Sequence, residues 1–260
     1  MIKAKKSLGQ NFLIDENVLK KIVSLKEIKN KFILEIGPGT GNLTQHILNK
    51  GPKKLIAVEK DKNLAFFLKE KFNDKITIIN DDILKTNEKS LNKEKLIVFG
   101  NLPYNISTEI LAKWILNLDH KNFWFDYLIL MFQKEVAERI ISKFNSSTYG
   151  RLTILANWRL NINKICDIKP ISFFPKPKVD STLLLFEPKE IFYPLKNPKN
   201  LEKITRIFFN QRRKKLKNPF NILFKNKVNL PTKLGIDLNL RPHNLKPEVY
   251  YELTKEYENL

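Results

Sequence analysis

The sequence contains a single cysteine, Cys166, among its 260 residues. One thiol cannot build a disulfide framework or a cysteine-ligated zinc site, and this usage fits a reducing cytoplasm. Long apolar runs are also missing, so no segment reaches the roughly 20 residues that a membrane-spanning helix needs. The first six residues lack the apolar region of a secretory signal. We therefore expect a soluble, cytoplasmic protein that binds neither a membrane nor a metal.

Acidic residues are few relative to basic ones. The chain has 27 Asp and Glu against 47 Lys and Arg, a formal net charge of +20. A surplus of this size attracts polyanions such as RNA, DNA or an anionic membrane, although part of it reflects a general abundance of Lys and Asn. Because 42% of the residues are apolar, the chain can build real cores, and extensive disorder is excluded. The charge favours a nucleic-acid partner.

Strand-like and helix-like segments alternate through most of the chain, which is typical of an α/β fold. The predicted strands are residues 32–36, 55–58, 76–79, 96–99, 127–132 and 179–186. The predicted helices include residues 16–25, 64–72, 106–116 and 134–143. Beyond residue 201 the signals are helical, with Pro and Gly between them. We therefore predict a domain over residues 1–190 and a smaller helical domain over residues 191–260.

Glycine is scarce, at eight residues, yet Gly37, Gly39 and Gly41 stand at alternate positions directly after the predicted strand 32–36. Without a Cβ, such a turn can fold tightly and lie flat against a ligand. The spacing is not the G-x-G-x-x-G of dinucleotide-binding proteins, which argues against a nicotinamide oxidoreductase, the main competitor. Preceded by Glu35, the turn resembles the first motif of S-adenosylmethionine-dependent methyltransferases. A carboxylate there suits the ammonium and sulfonium charges.

Acidic residues also end the next two predicted strands. Glu59 stands where an acidic side chain can accept both ribose hydroxyls of an adenosine cofactor. Asp82, just past the following strand, is then placed to receive the adenine amino group. Each residue alone could be a solvated strand end. Their joint occurrence with the glycine-rich turn at three consecutive strand ends favours a cofactor site.

The segment Asn101-Leu102-Pro103-Tyr104 follows the buried strand 96–99, at the edge where open α/β sheets bind ligands. It resembles the N-(I/L/P)-P-(Y/F) signature of enzymes that methylate the exocyclic nitrogen of adenine. The Asn101 side-chain oxygen and the Leu102 or Pro103 carbonyl could accept the two N–H bonds of that amino group and aim its lone pair at a methyl group. A simple Pro-Tyr turn is the alternative for these four residues alone.

Two further segments carry apolar residues beside polar ones. Residues 6–13, K-S-L-G-Q-N-F-L, can pack over a cofactor, or merely precede the first helix as a hydrophobic staple. Residues 172–181, S-F-F-P-K-P-K-V-D-S, form a loop stiffened by two prolines that could hold an aromatic ring over a pocket. We predict that Tyr104 and Phe173 clamp the two faces of a base that has left its stack. Core aromatics beside a turn are the alternative.

Together these segments resemble the small-subunit (16S) ribosomal RNA adenine N6,N6-dimethyltransferase family. The matching motifs are S-L-G-Q-N-F-L at 7–13, E-I-G-P-G-T-G-N-L-T at 35–44, N-L-P-Y-N-I at 101–106, M-F-Q-K-E-V-A-E-R-I at 131–140, Y-G-R-L at 149–152, F-x-P-x-P-K-V-D-S at 173–181 and N-Q-R-R-K-K-L at 210–216. They span nearly the whole chain. Small departures include Lys60, where an apolar residue is usual, and a C-terminal third rich in Lys and Asn.

The resemblance implies a Rossmann-like methyltransferase domain with a small α-helical C-terminal domain that contacts RNA or the ribosome. It implies the transfer of two methyl groups from S-adenosylmethionine to N6 of each of two adjacent adenosines in a hairpin loop near the 3′ end of the RNA, during small-subunit biogenesis. The implied cofactor residues are Asn11, Leu13, Gly37, Glu59, Asp82 and Asn101. The implied target-base residues are Asn101, Tyr104 and Phe173. The expected partners are small-subunit rRNA and the immature small subunit, bound by a monomer.

Two other functions stay open at this stage. The related large-subunit rRNA dimethylases of the antibiotic-resistance type share the Asn101–Tyr104 kind of motif, although the long C-terminal region with Gln211-Arg212-Arg213 favours the small-subunit enzyme. A ribosome-assembly or transcription factor could also keep this fold without catalysis. An intact cofactor site argues for catalysis.

Overall fold

The computed structural model describes residues 4–5, 8–118, 123–225 and 227–260. The chain divides into two compact units. The first consists of residues 1–111, 121–137 and 162–188, and the second of residues 112–120, 138–161 and 189–260. The chain leaves the first unit for the last time after Pro188, close to residue 190, where the sequence predicts a domain boundary. The second unit also includes two earlier segments of the chain. A separate function for each predicted domain stays a prediction.

The first unit is built on a mixed sheet with the strand order β4-β3-β2-β5-β6-β9-β7. Its strands are β2 (Phe32–Ile36), β3 (Lys54–Val58), β4 (Thr77–Ile79), β5 (Leu96–Asn101), β6 (Phe125–Gln133), β7 (Leu160–Ile168) and β9 (Ser181–Pro188). The pairs from β4 to β6 are parallel, and β9 runs antiparallel to β6. A separate two-stranded ribbon pairs β1 (Phe12–Leu13) with β8 (Phe173–Phe174).

Helices precede, connect and follow the parallel strands. They are α1 (Glu16–Ser24), α2 (Asn42–Leu48), α3 (Lys62–Phe72), α4 (Ser107–Leu116) and α5 (Lys134–Ile140), of which α4 and α5 continue into the second unit. Asp15 caps α1 because its carboxylate accepts hydrogen bonds from the backbone of Asn17 and Val18. The middle strands are buried on both faces, which is typical of parallel sheets. Their carboxyl ends therefore meet along one edge.

The second unit is helical. Its further helices are α6 (Arg151–Arg159), α7 (Pro198–Asn210), α8 (Lys217–Phe224), α9 (Leu230–Lys233) and α10 (Pro247–Tyr257). Phe208 of α7 and Tyr250 of α10 are fully buried and meet edge to face, with ring centroids 5.6 Å apart. The Tyr251 hydroxyl donates to the Ile154 carbonyl at 3.1 Å, which joins α10 to α6. This unit has its own core.

Several boundaries differ from those predicted. The helix predicted over 134–143 ends at Ile140, and the last strand begins at Ser181 instead of residue 179. The less regular region after residue 145 contains a helix and a nine-residue edge strand. The helical segment beyond residue 201 is interrupted, because α7 ends at Asn210 and a turn separates it from α8. In the described part of the chain, no helix is both long and apolar enough to cross a bilayer.

Candidate active site

A cavity opens where β2, β3 and β5 end. Its wall consists of residues 8–13, 35–40, 42–43, 58–60, 64, 81–83 and 101–106. All six predicted cofactor residues lie in this wall, namely Asn11, Leu13, Gly37, Glu59, Asp82 and Asn101. Leu102, Pro103 and Tyr104 line it as well. The structure thus brings together every predicted site residue except Phe173.

The glycine-rich turn has a backbone that only glycine adopts without strain. Gly37 and Gly39 have φ of 64° and 59°, in the left-handed region. A Cβ on Gly39 would also lie 2.7 Å from the ring of Phe12, so this ring packs directly on the turn. The Gly37 amide donates to the Val58 carbonyl at 2.9 Å. The turn is therefore held against the end of β3, with its backbone exposed to the cavity.

Glu59 is held as a fixed acceptor at the end of β3. Its Oε2 accepts from the Gly39 amide at 3.2 Å, and its Oε1 accepts from the Asp61 amide at 2.8 Å. Burial is the main cause that raises the pKa of this carboxyl, and the two amide bonds oppose it. Each carboxylate oxygen has a second lone-pair site. The side chain can therefore accept two more hydrogen bonds from the cavity.

Glu35 is a second carboxyl group in the wall, and it is completely buried. The Thr44 hydroxyl of α2 donates to its Oε2 at 2.7 Å. Burial raises the pKa of Glu35 to about 8, and the neighbouring Glu59 carboxyl adds to the rise. At neutral pH the Glu35 carboxyl in the cavity wall therefore keeps its proton.

Asp82 lies at the opposite rim of the cavity and is more accessible to water. Its Oδ1 accepts from the Leu84 amide at 3.0 Å, and its Oδ2 forms an ion pair with Lys60 at 2.7 Å. The hydrogen bond from Lys60 is the main cause that lowers the pKa of Asp82. Lys60, the unusual residue after Glu59, thus orients the carboxylate that is predicted to receive an adenine amino group.

The Asn101 side chain at the end of β5 is oriented by the N-terminal segment. Its Nδ2 donates to the Asn11 carbonyl at 2.7 Å. This hydrogen bond turns the amide nitrogen of Asn101 towards Asn11, so its Oδ1 atom remains as an acceptor for a ligand. Asn11 therefore acts here through its backbone, while its own Nδ2 donates to the Gly9 carbonyl at 3.3 Å.

The two predicted backbone acceptors differ in their hydrogen bonding. The Pro103 carbonyl accepts from the Ile106 amide at 3.1 Å and so begins the turn into α4. The Leu102 carbonyl has no such partner among the described residues. Of the two carbonyls, that of Leu102 is therefore the better second acceptor for an amino group beside Asn101.

Tyr104 is fixed by a residue far away in the sequence. Its hydroxyl and the Ser181 hydroxyl are 2.5 Å apart, although 77 positions separate the two residues. Burial raises the pKa of the Tyr104 phenol, so it stays neutral, while the bond to Ser181 opposes the rise. The ring is therefore anchored at its outer end, and the first residue of β9 has a role that the sequence pattern did not reveal.

Phe173 does not lie in the cavity wall. It pairs with Leu13 in the β1–β8 ribbon, is 1% exposed and belongs to the core of the first unit. The next residue, Phe174, pairs with Phe12 and is 63% exposed. Successive side chains of a strand point to opposite faces, so the ribbon directs Phe173 inwards and Phe174 outwards. The clamp predicted for Phe173 is not formed in this structure.

The N-terminal segment packs on the cavity, as one of the two hypotheses for it predicts; its residues 6 and 7 lie outside the described residues. The Asn42 side chain at the start of α2 donates to the Leu13 carbonyl at 2.8 Å. Lys5 forms an ion pair with the buried Asp61 at 2.8 Å. Asn42 and Asp61 were both missed in the sequence, because nothing in their local pattern distinguishes them from ordinary helix-start residues.

Basic residues of the second unit differ in how they are held. The Arg212 guanidinium donates to the carbonyls of Ser146, Ser147 and Tyr149, so it closes a loop of its own unit. Arg213, one position later, is exposed and has no ion pair or hydrogen bond to any described side chain. The basic segment at residues 210–216 therefore contains at least one arginine with a structural role.

Comparison with known proteins shows that the chain has relatives in one enzyme family. A model of the family described as ribosomal RNA adenine dimethylase matches residues 1–259. A ribosomal RNA small subunit methyltransferase A of Pelagibacter ubique is 68% identical over 259 residues, covering 100% of this chain and 98% of the relative. A protein of the same name from Prochlorococcus marinus is 40% identical, covering 96% and 94%.

Solved structures agree with this assignment. The crystal structure of a dimethyladenosine transferase from Plasmodium falciparum superposes with a TM-score of 0.78 at 29% identity, covering 95% of this chain and 98% of the other. The 23S rRNA methyltransferase ErmE shares the fold, with a TM-score of 0.68 at 22% identity and coverage of 95% and 100%.

The sheet, the glycine-rich turn and the acidic strand ends define an S-adenosylmethionine-dependent methyltransferase. Within that class, the chain belongs to the ribosomal RNA adenine dimethylase family.

Proposed function

We propose that the protein transfers methyl groups from S-adenosylmethionine to N6 of two adjacent adenosines in the 3′-terminal hairpin loop of small-subunit rRNA, two on each adenosine. The names of the relatives support the small subunit as the substrate. The observation that carries the chemistry is the Asn101 amide, whose nitrogen is tied to the Asn11 carbonyl at 2.7 Å and whose oxygen stays available.

The donor set of the cavity fits S-adenosylmethionine. Glu59 keeps lone pairs for two ribose hydroxyls, and Asp82 offers an acceptor for an adenine amino group. Gly37 and Gly39 of the turn line the cavity with backbone alone. When bound, S-adenosylmethionine supplies a methyl group that is carried on its sulfonium sulfur. Loss of the methyl group converts this sulfonium into a neutral thioether.

The residues after β5 activate the adenine amino group by accepting its hydrogen bonds. The nitrogen lone pair is delocalised into the base, so the nitrogen attacks poorly until it becomes pyramidal. Asn101 Oδ1 accepts a hydrogen bond from one N–H, and the Leu102 carbonyl accepts one from the other. These two hydrogen bonds favour the pyramidal geometry and fix the direction of the lone pair. No strong base is required first, because the nitrogen becomes acidic only after it has gained the methyl group.

Tyr104 supplies one flat face for the target base. Its ring is partly buried, lines the cavity and is anchored through the hydroxyl to Ser181. A base must leave its stack to reach such a site, which costs little in an RNA loop. Stacking on one aromatic ring is worth about 1–3 kcal/mol. The ring therefore favours entry of an unstacked adenine.

We further propose that the enzyme acts in the cytoplasm, as a monomer, on the immature small subunit. The net charge of +20 supports binding to an RNA-rich particle.

The test is methyl transfer from radiolabelled S-adenosylmethionine. The acceptors are immature small subunits, mature small subunits and large-subunit rRNA, followed by nuclease digestion and separation of the labelled nucleosides. We expect label only in N6,N6-dimethyladenosine of the immature small subunit. Label in large-subunit rRNA would support the resistance-type activity instead. Tight binding to small subunits without any label would indicate an assembly factor.

A further inference from the structure

The β1–β8 ribbon carries apolar side chains that the first unit leaves in water. Phe174 is the largest of them, and Ile171, Val179 and Ile14 are also exposed. The Ile14 amide donates to the Ser172 carbonyl at 2.9 Å, which brings these segments together. Exposed apolar side chains on neighbouring segments can form a binding surface.

The loop that follows Phe174 is joined to the cavity wall at both ends. At one end Phe174 pairs with Phe12, whose ring packs on the glycine-rich turn. At the other end Ser181 holds the Tyr104 hydroxyl at 2.5 Å. Phe12 and Tyr104 both line the cavity. The loop therefore lies next to the cavity wall.

The pairing also fixes the direction of the Phe174 ring. Residues directly opposite each other in an antiparallel pair project on the same face. Phe174 therefore stands beside Phe12, which lines the cavity, whereas the buried Phe173 projects from the opposite face of the ribbon together with Leu13. An exposed ring on a paired strand, followed by Pro175, loses little conformational freedom when a ligand stacks on it.

Two lysines next to this ring carry uncompensated charge. Lys176 and Lys178 are exposed, and neither forms an ion pair within the described parts of the chain. Lys169, by contrast, is paired with Asp180 at 2.7 Å. An aromatic surface beside unpaired cations is typical of sites for unpaired nucleotides, where a base stacks and the backbone phosphates are neutralised.

We propose that Phe174, Lys176 and Lys178 form a subsite for the nucleotide next to the target adenosine. The neighbouring base stacks on Phe174 outside the cavity, while the lysines contact its phosphates. This inference rests on the proposed function, since it assumes an RNA substrate with a base in the cavity. This role differs from the clamping of the target base that the sequence predicted for Phe173.

The test compares Phe174→Ala, Phe174→Trp and the double variant Lys176→Gln/Lys178→Gln. Activity is measured as kcat/KM for RNA methylation, and stacking as the fluorescence of 2-aminopurine placed beside the target adenosine in a hairpin RNA. Phe174→Ala should lower kcat/KM by about fivefold to a hundredfold and abolish the quenching of 2-aminopurine. Phe174→Trp should restore both. The lysine variant should weaken RNA binding and reduce its salt dependence.

Phe66 is the matched control, because it is a phenylalanine of the same unit with 67% exposure, far from residues 171–181 in the sequence. Phe66→Ala should change neither readout, and Lys20→Gln/Lys21→Gln on α1 controls for charge. Each variant should bind S-adenosylmethionine like the wild type, which shows that it is folded.

Native kcat/KM and native quenching in Phe174→Ala would overturn the subsite, even if the wild type methylates the small subunit as proposed. The wild type is first tested on both ribosomal RNAs, and the Phe174 comparison uses whichever RNA it methylates. A wrong small-subunit assignment and a wrong subsite therefore give different results.

Discussion

The cavity wall and the basic turn at residues 211–217 hold their polar side chains in different ways. In the wall, Asn101 and Glu59 each use some of their hydrogen-bonding capacity on the protein backbone and keep the rest for a ligand. In the turn, Arg212 gives its guanidinium to three carbonyls, while its neighbour Arg213 contacts no described side chain. Hydrogen-bonding capacity for a ligand thus remains at the strand ends of one region, and an unpaired positive charge remains in the other.

The comparison can be sharpened first at Glu35, the carboxyl of the wall whose negative charge is disfavoured by burial. The ordinary pKa of 4.5 is raised to about 8, so between these values the folded chain holds a proton that the unfolded chain has released. This stabilising proton is fully present below pH 4.5 and is lost as the pH rises through 8. Stability should therefore fall with a slope of up to about 1.4 kcal/mol per pH unit from this residue.

Glu35→Gln should remove that part of the slope, because the amide oxygen can still accept from Thr44 and no proton is lost. Urea unfolding of the ligand-free protein at pH 5, 6.5 and 8 measures it. Glu70→Gln is the control, since Glu70 is exposed on α3. If the wild type and Glu35→Gln lose stability in parallel as the pH rises, the buried carboxyl is not the source.

Asn101 should show the largest effect on catalysis. Asn101→Ala removes the acceptor of one N–H bond and the tie to Asn11. Loss of one preorganised hydrogen-bonding group in an active site typically costs about 10²–10³ in kcat. We expect a decrease of that size in single-turnover methyl transfer at saturating donor. Asn63→Ala on α3 should retain full activity, and similar rates for both variants would remove Asn101 from the chemistry.

Glu59 tests the cofactor side of the wall. Charge-assisted hydrogen bonds contribute about 1.5–3 kcal/mol each, so Glu59→Ala should weaken the binding of S-adenosylmethionine at least tenfold. The change also leaves the Gly39 and Asp61 amides without their acceptor, so the melting temperature should fall. Calorimetric titration measures affinity. Asp82→Ala should have a smaller effect because Asp82 is more accessible to water, and unchanged affinity in a folded Glu59 variant would contradict the assignment.

The sequence predicted the wall well because strand ends are local features. Glu59 and Asn101 directly follow short buried strands, and parallel topology then brings them to one edge. The orientation of Phe173 and Phe174 could not be read in this way. It depends on pairing with Phe12 and Leu13, about 160 positions earlier, and a shift of one residue would exchange the two rings.

Helix α6 and strand β7 show why other elements were missed. Helix α6 buries residues 153–156 and 158–159, so it has no polar stripe from which a helical period could be recognised. Strand β7 lies at the edge of the sheet and reads L-N-I-N-K-I-C-D-I, with a polar composition unlike that of the buried strands. The helix-to-turn change after Asn210 was hidden by continuous basic residues, which fit either structure.

The last prediction concerns the basic turn, where Arg212 and Arg213 serve as controls for each other. Both carry one positive charge, but only Arg212 is bonded to the loop at residues 146–149. Hydrogen bonds from a charged group to the backbone contribute about 1.5–3 kcal/mol. Arg212→Gln should therefore lower the melting temperature, whereas Arg213→Gln should leave it within the small range of ordinary surface substitutions.

For RNA binding the expectation is reversed. If Arg213 contacts a phosphate, the Arg213→Gln variant should release fewer counterions when it binds RNA. The slope of log K against log salt should then fall by about 0.7–0.9. Arg212→Gln, measured below its melting temperature, should keep the wild-type slope because its guanidinium already faces carbonyls. The titration uses small-subunit rRNA over a range of salt concentrations. Equal slopes for the wild type and Arg213→Gln would indicate that the charge of Arg213 serves solubility and not RNA binding. A reduced slope in Arg212→Gln alone would show that RNA displaces the loop at residues 146–149 from Arg212.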